Sequence, residues 1–292
     1  ALKNIESGSR NIAIGGQQGG GDGGTGEFLK NGDDNTFVGA KAGQGIDSGN
    51  IHSSQNVFIG SLAGNNQNGV DGNVGVGRKA LLYARGNYSV AVGYEAGDHA
   101  TGSYNTFVGA QAGQGGTTSA PYSSGESNVA VGYQAHDAFT TGHSNTAVGR
   151  ETLSALTTGY GNTFYGYRSG QSLTTGYYNI GIGFNTLSQQ GNGAGSHDNI
   201  GIGQSALSYL TSGDYNVAIG WNAADALTES LATIAIGGGA LGAITTTGDY
   251  TIAIGYGAMG GAEIGDGNIA IGYQSMQNAN SSAFHRNVAI GY

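Results

Sequence analysis

Polar, apolar, small, apolar, glycine: this five-residue order recurs along the chain. From Asn128-Val129-Ala130-Val131-Gly132 it returns at 145–149, 162–166 and 179–183, each time 17 residues later. Sixteen copies begin at residues 11, 35, 56, 73, 89, 105, 128, 145, 162, 179, 199, 216, 233, 251, 268 and 287. Intervals are 16 to 18 in regular stretches and 19 to 24 where residues are inserted. Position one is Asn in thirteen copies, with Ser89, Thr233 and Thr251 in the others. Position two is Val, Ile or Thr, position four is Val or Ile except at Tyr165, and position five is Gly in all sixteen. A fixed period of this length is the mark of a stacked-repeat architecture.

β-Branched residues at positions two and four predict a short strand with that face inward and position three outward. The glycine then marks a turn. Eight residues after position four comes a second apolar anchor, Phe139, Leu156, Leu173, Leu210, Leu227 or Ile244. Small residues precede the anchor, as at Ala135, Thr152, Ser169, Thr186, Ala206, Ala223 and Ala240. A Thr-Thr-Gly turn follows it, as at 140–142, 157–159 and 174–176. One repeat therefore reads as strand, Gly turn, second short strand, Thr-Thr-Gly turn. A helix through Leu207 and Leu210 is the lesser reading, since the turn punctuation leaves too few residues for one.

Seventeen residues bury no core alone, but stacked copies place like over like about 4.8 Å apart. The expected fold is all-β, a parallel β-solenoid of about 16 coils with a period near 17 residues, filling 1–292 as a single repeat domain. The structural positions include Asn128, Gly132, Asn145, Gly149, Asn162, Gly166, Asn179, Gly183, Asn216 and Gly220, with the Asn side chains stacking as an amide ladder. Position three is Ala or Gly in twelve copies. An outward stripe that small predicts close approach of another surface, hence an oligomer packed along the stacking axis.

Composition narrows the class. The 292 residues include 59 Gly, one Pro and no Cys, which removes collagen, disulfide frameworks and zinc-thiolate sites. Net charge is −9 and the ten basic residues are scattered, so nucleic acid is not an expected partner. No apolar run is long enough for a membrane-spanning helix. The chain starts without Met, and its last motif, Asn287 to Gly291, has no second strand after it, which predicts a piece of a longer protein.

The Asn-x-Ala-Ile-Gly core, as in Asn216-Val217-Ala218-Ile219-Gly220, Asn268-Ile269-Ala270-Ile271-Gly272 and Asn287-Val288-Ala289-Ile290-Gly291, resembles the head repeats of YadA-like trimeric autotransporter adhesins. The Thr-Thr-Gly versions, such as Leu173 to Gly183, are also similar to repeats of bacteriophage tail-fibre proteins. The resemblance implies a left-handed β-roll, a homotrimer and an extracellular role in attachment. The period of about 17 exceeds that of the adhesin heads, and neither a coiled-coil stalk nor a membrane anchor is present in these residues.

Candidate chemistry is thin. Asp33, Asp34, Glu126, Asp137 and Glu151 offer carboxylates for glycosidic chemistry, but no pair recurs in register, and turn-forming Asp is the simpler reading. His143, His197 and His285 each stand two residues before a motif Asn, too far apart in one chain to share a metal; in a trimer, copies of one could meet on the axis. The run Gly19 to Gly24 offers a loose parallel to calcium or phosphate loops. Thr arrays for ice binding lapse after three successive coils. Neither a cofactor nor a metal is expected. Insertions near 16–34, 40–55, 110–127 and 188–198 are the expected display loops. Aromatic residues beside the motif suit sugar stacking or turn stiffening, and Tyr122, Tyr177, Tyr178 and Trp221 are the candidate ligand-binding residues.

The expected function is a non-enzymatic extracellular fibre or adhesin that binds a cell-surface glycan or protein receptor. The alternatives are a phage tail-fibre shaft, a purely structural filament and, remotely, a polysaccharide depolymerase.

Overall fold

A computed structural model describes residues 8–16, 25, 32–45, 52–66, 69–83, 85–116, 122–188, 196–243, 249–261, 264–277 and 284–292. The glycine run at 19–24 and the anchor Ile244 lie outside them, as do residues 117–121 and parts of the other insertions. The chain forms two compact units, Ala1–Asn145 and Thr146–Tyr292. Each is all-β, and no helix occurs among the described residues.

The first unit holds β1 (Ile12–Ile14), β2 (Thr36–Val38), β3 (Val57–Ile59), β4 (Val74–Val76), β5 (Val90–Val92), β6 (Thr106–Val108) and β7 (Val129–Val131). The second holds β8 (Thr146–Val148), β9 (Thr163–Tyr165), β10 (Ile180–Ile182), β11 (Ile200–Ile202), β12 (Val217–Ile219), β13 (Ile234–Ile236), β14 (Ile252–Ile254), β15 (Ile269–Ile271) and β16 (Val288–Ile290). Within each unit every strand pairs in parallel with the next in sequence, like position on like position, as Val217–Ile234 and Ala218–Ala235. This is the expected parallel β-solenoid, with one three-residue strand per repeat.

Two expectations fail. In β2 to β15 the middle residue is buried and its neighbours are half-buried or exposed, so position three faces in and positions two and four face out. The second strand is absent among the described residues: its positions are turns, and isolated bridges such as Tyr177–His197 and Ser212–Glu229 fall after the anchor instead. Both corrections have one cause. The coil interior takes a single side chain from each strand, because the turn supplies the rest from residues seven, eight and eleven beyond position one. Ala135, Leu153, Phe139, Leu156, Leu173, Leu210 and Leu227 are all buried there. The second apolar anchor thus holds as core, carried by turns.

The interior is balanced by volume within a coil. Where position three is Phe, as at Phe37, Phe58, Phe107 and Phe164, the residue six further on is Gly43, Gly64, Gly113 or Gly170. Where position three is Ala or Gly, that residue is commonly large, as Leu81, His136, Leu153, Leu187, Leu207, Leu241 or Met259, all fully buried. A Cβ on Gly170 would lie 2.8 Å from the Phe164 ring and 2.7 Å from Leu153 of the preceding coil, so a large residue there does not fit beside Phe164. Leu207 and Leu210, the pair that hinted at a helix, fill this space from left-handed and turn positions, with Leu207 at φ 52°.

Backbone pairing runs from coil to coil. The position-two N–H donates to the next coil's position-one carbonyl, as Val217 to Thr233 at 2.8 Å, and the motif-Gly N–H to the preceding position-four carbonyl, as Gly220 to Ile202 at 2.8 Å. The turns continue the pattern: Leu207 donates to Ala223 at 3.1 Å and Asn222 to Gln204 at 2.9 Å. Left-handed residues recur to aim these groups along the stack, for example Gln134 at φ 52° and His136 at 49°. Such backbone costs energy outside glycine and persists only where its surroundings enforce it. The motif glycine has a stricter reason. Gly203 sits at φ 126°, and a Cβ there would lie 2.4 Å from the Gly220 carbonyl oxygen.

The Asn ladder forms within both units. Asn199 Oδ1 accepts the Asn216 N–H and Nδ2, each at 3.0 Å, while Asn199 Nδ2 donates to Asn179 Oδ1 at 3.1 Å and to the Gly213 carbonyl at 2.9 Å. That last acceptor belongs to the turn ahead of the next motif, so one side chain ties strand and turn of successive coils.

Two stability predictions follow from this packing. Phe164→Ala should cost about 3–5 kcal/mol by leaving a cavity, and Phe164→Ala combined with Gly170→Leu should recover most of the loss in thermal or denaturant unfolding. Asn199→Ala strands two donors of Asn216 and should cost roughly 2–4 kcal/mol, with no comparable loss for alanine at an exposed turn residue such as Ser124.

Candidate binding surface

Residues two before the motif Asn form a second polar column that the sequence did not reveal. Their side chains accept backbone N–H groups from the preceding coil. Asp33 accepts from Ser9 and Asp71 from Ser54, both at 2.7 Å, Asn87 from Asp71 at 2.9 Å, and Ser103 from Asn87 at 3.0 Å. In the second unit Asp214 accepts from His197, Asp249 from Leu231 and His285 Nδ1 from Asp266, all at 2.9 Å. Turn-forming Asp is therefore the structural reading for these residues, with a specific donor for each.

Two other candidate carboxylates, Asp34 and Glu151, are engaged by cations instead. Asp34 pairs with Arg10 at 2.8 Å, and Glu151 with Arg168 and Arg150, both at 2.7 Å. These cations hold the Asp34 and Glu151 carboxyls below the usual range. Of the three histidines in the column, His197 lies between Asp198 (Nδ1 at 2.9 Å) and Asp214 (Nε2 at 3.2 Å), and His143 approaches the Ser144 hydroxyl at 3.3 Å. Among the described residues no three His, Asp or Glu side chains are placed to hold a metal.

The four candidate ring residues occupy different environments. Tyr122 is half-buried and stacks on Tyr83 at 4.6 Å, near His99, with the Arg85 guanidinium 5.9 Å from its centroid. Tyr177 is sandwiched between Tyr160 at 5.2 Å and His197 at 4.6 Å, so both its faces are covered. Tyr178 stands edge-on to Tyr160 and Tyr177 and is 54% exposed. Trp221, 55% exposed, follows a motif Gly and makes no ring contact with Tyr177 or Tyr178. Tyr178 and Trp221 thus present open ring surface, whereas Tyr122 and Tyr177 stiffen turns. Aligning the repeats by column would have flagged Tyr160, Tyr177 and His197 as a stack.

Compared with known proteins, the chain matches no family model and no curated protein.

Among the described residues the most perturbed group is Asp98. It is 2% exposed, its Oδ1 has no hydrogen-bond partner, and it lies among Tyr83, His99, Glu95 and Lys79. Burial pushes its carboxyl up to about 7, opposed by Lys79 and reinforced by Glu95. Burial also lowers His99. Lys79 is taken up by Glu95 at 2.9 Å and leaves Asp98 unneutralised. A raised carboxyl weakens the fold above pH 7, where the buried group must ionise, and the penalty fades as pH falls through 7 towards the unfolded value near 4. Asp98→Asn should therefore stabilise the protein by roughly 2–4 kcal/mol at pH 8 and leave it little changed at pH 4, as read from unfolding midpoints at the two pH values.

Proposed function

We propose that this chain is a non-enzymatic segment of an extracellular attachment fibre, assembled as a homotrimer, whose turns and inserted loops meet a cell-surface glycan or protein receptor. The observation that supports the assembly is the outward face of the strands. Positions two and four carry Val, Ile or Thr in nearly every coil, and in a single chain this face stays partly open to water: Ile182 is 40%, Ile219 37% and Ile271 36% exposed. A repeated apolar face of this kind favours burial against copies of itself. The contact first assigned to the Ala/Gly stripe passes to the Val/Ile face, because the stripe fills the interior.

The resemblance of the Asn-x-Ala-Ile-Gly core to trimeric adhesin heads and phage fibre repeats supports the extracellular setting, on a bacterial or virion surface. The engagement of Asp33, Asp34, Asp71, Glu151, Asp214 and Asp249 in holding the coils supports a binding rather than a catalytic role. Sedimentation equilibrium tests the assembly: the expected mass is about three times the 29.2 kDa of the chain, and Ile182→Lys with Ile219→Lys should drive it towards the monomer. A wild-type mass near 29 kDa would overturn the trimer and the role given to the Val/Ile face.

A further inference from the structure

The polar column two residues before the motif Asn is interrupted at Glu126. Up to that point in the first unit its members Asp33, Asp71, Asn87 and Ser103 each spend a side-chain acceptor on a neighbouring coil's N–H. Glu126 receives the Ser144 N–H on its backbone carbonyl at 2.9 Å, but among the described residues its carboxylate has neither a hydrogen bond nor an ion pair. The side chain is exposed. Beside it opens a cleft of about 300 Å³, lined by Ser124, Glu126, Ser127, Thr141, His143 and Ser144. Four hydroxyls, one imidazole and one unspent carboxylate meet there, with no Lys or Arg in the lining.

We propose that this cleft binds one hexose-sized sugar ring that carries no anionic group. The proposal rests on the glycan-attachment reading above and gives it a location and a chemical class. Its volume lies at the small end of the roughly 300–1,000 Å³ of ligand sites, which suits a single ring better than a peptide side or a nucleotide. A sugar offers hydroxyls that both donate and accept. The Glu126 carboxylate, acceptor only, can take two neighbouring hydroxyl donors in charge-assisted bonds, and the Ser and Thr hydroxyls serve in either sense. The lining holds no Lys or Arg to receive a carboxylate, sulfate or phosphate, and the chain carries a net charge of −9, so an acidic sugar meets repulsion at Glu126. An amine substituent meets attraction instead.

Saturation-transfer NMR on the full chain with glucose, galactose, glucosamine and glucuronate, each at millimolar concentration, tests this. Transfer to the two neutral sugars or to glucosamine is expected, with a loss of at least fivefold in Glu126→Ala and a partial loss in Thr141→Ala. Glu126 makes no side-chain bond, so circular dichroism of its variant should match the wild type. No transfer to any sugar, equal transfer to glucuronate, or transfer unchanged in Glu126→Ala would overturn the proposal. Cell attachment measured on the same preparations separates the two readings. Attachment without Glu126-dependent transfer removes the cleft alone; Glu126-dependent transfer without attachment supports the cleft and removes the attachment role.

Discussion

Hydrogen bonding along the stack, from each coil to the next, is the interaction on which the rest of this structure depends. No helix, disulfide or extended hairpin shares the load among the described residues. Strands of three residues and turns of left-handed residues would not hold their shape alone, and both are fixed because their N–H and carbonyl groups are spent on the coils before and after. The Asn side chain at position one joins this system at up to four points, as at Asn199, which explains why Ser or Thr replaces it only three times in sixteen. Its companion column of Asp, Asn, Ser and His does the same work for the turn.

A second constraint follows from the narrow interior that such stacking encloses. Each strand has room for one inward side chain, and the volume left over is met from the turn. The exchange of Phe with Gly for Ala or Gly with Leu is a packing rule that operates within a coil and against its neighbours, while the strands within each unit keep one register. The outward Val, Ile and Thr face is a consequence: branched residues favour the extended backbone and shield the ladder, but they leave apolar surface that a single chain does not cover. The structure and the proposed trimer meet at this point.

Much of the fold was legible from the period alone. Invariant Gly, repeated Asn and the spacing of the Leu anchors defined the coil, the ladder and the second buried anchor, although the strand expected to carry that anchor is a run of turns. The strand's facing was misread because β-branched residues were equated with the interior. In a strand of three residues alternation leaves one residue against two, and the smaller set is the buried one. Phe at position three was the available signal, since Phe37, Phe58, Phe107 and Phe164 alternate with Ala and Gly in the same interior slot. The binding residues were less legible. Tyr177 and Tyr122 look alike in sequence to Tyr178, and only the coil-to-coil register shows which rings are covered. Asp98 and Glu126, two acids with no hydrogen-bond partner for a carboxylate oxygen, become distinct from structural Asp residues only when the neighbouring coil supplies or withholds a donor.

Residue-resolved amide hydrogen exchange tests the axial pairing most directly. Slow exchange is predicted at positions one to five of interior coils, repeating about every 17 residues, with faster exchange just after the motif Gly, as at Gln204 and Trp221, whose N–H makes no backbone bond among the described residues. Rapid exchange at the motif-Gly amides, or protection in continuous helical runs through residues such as 204–210, would contradict the account.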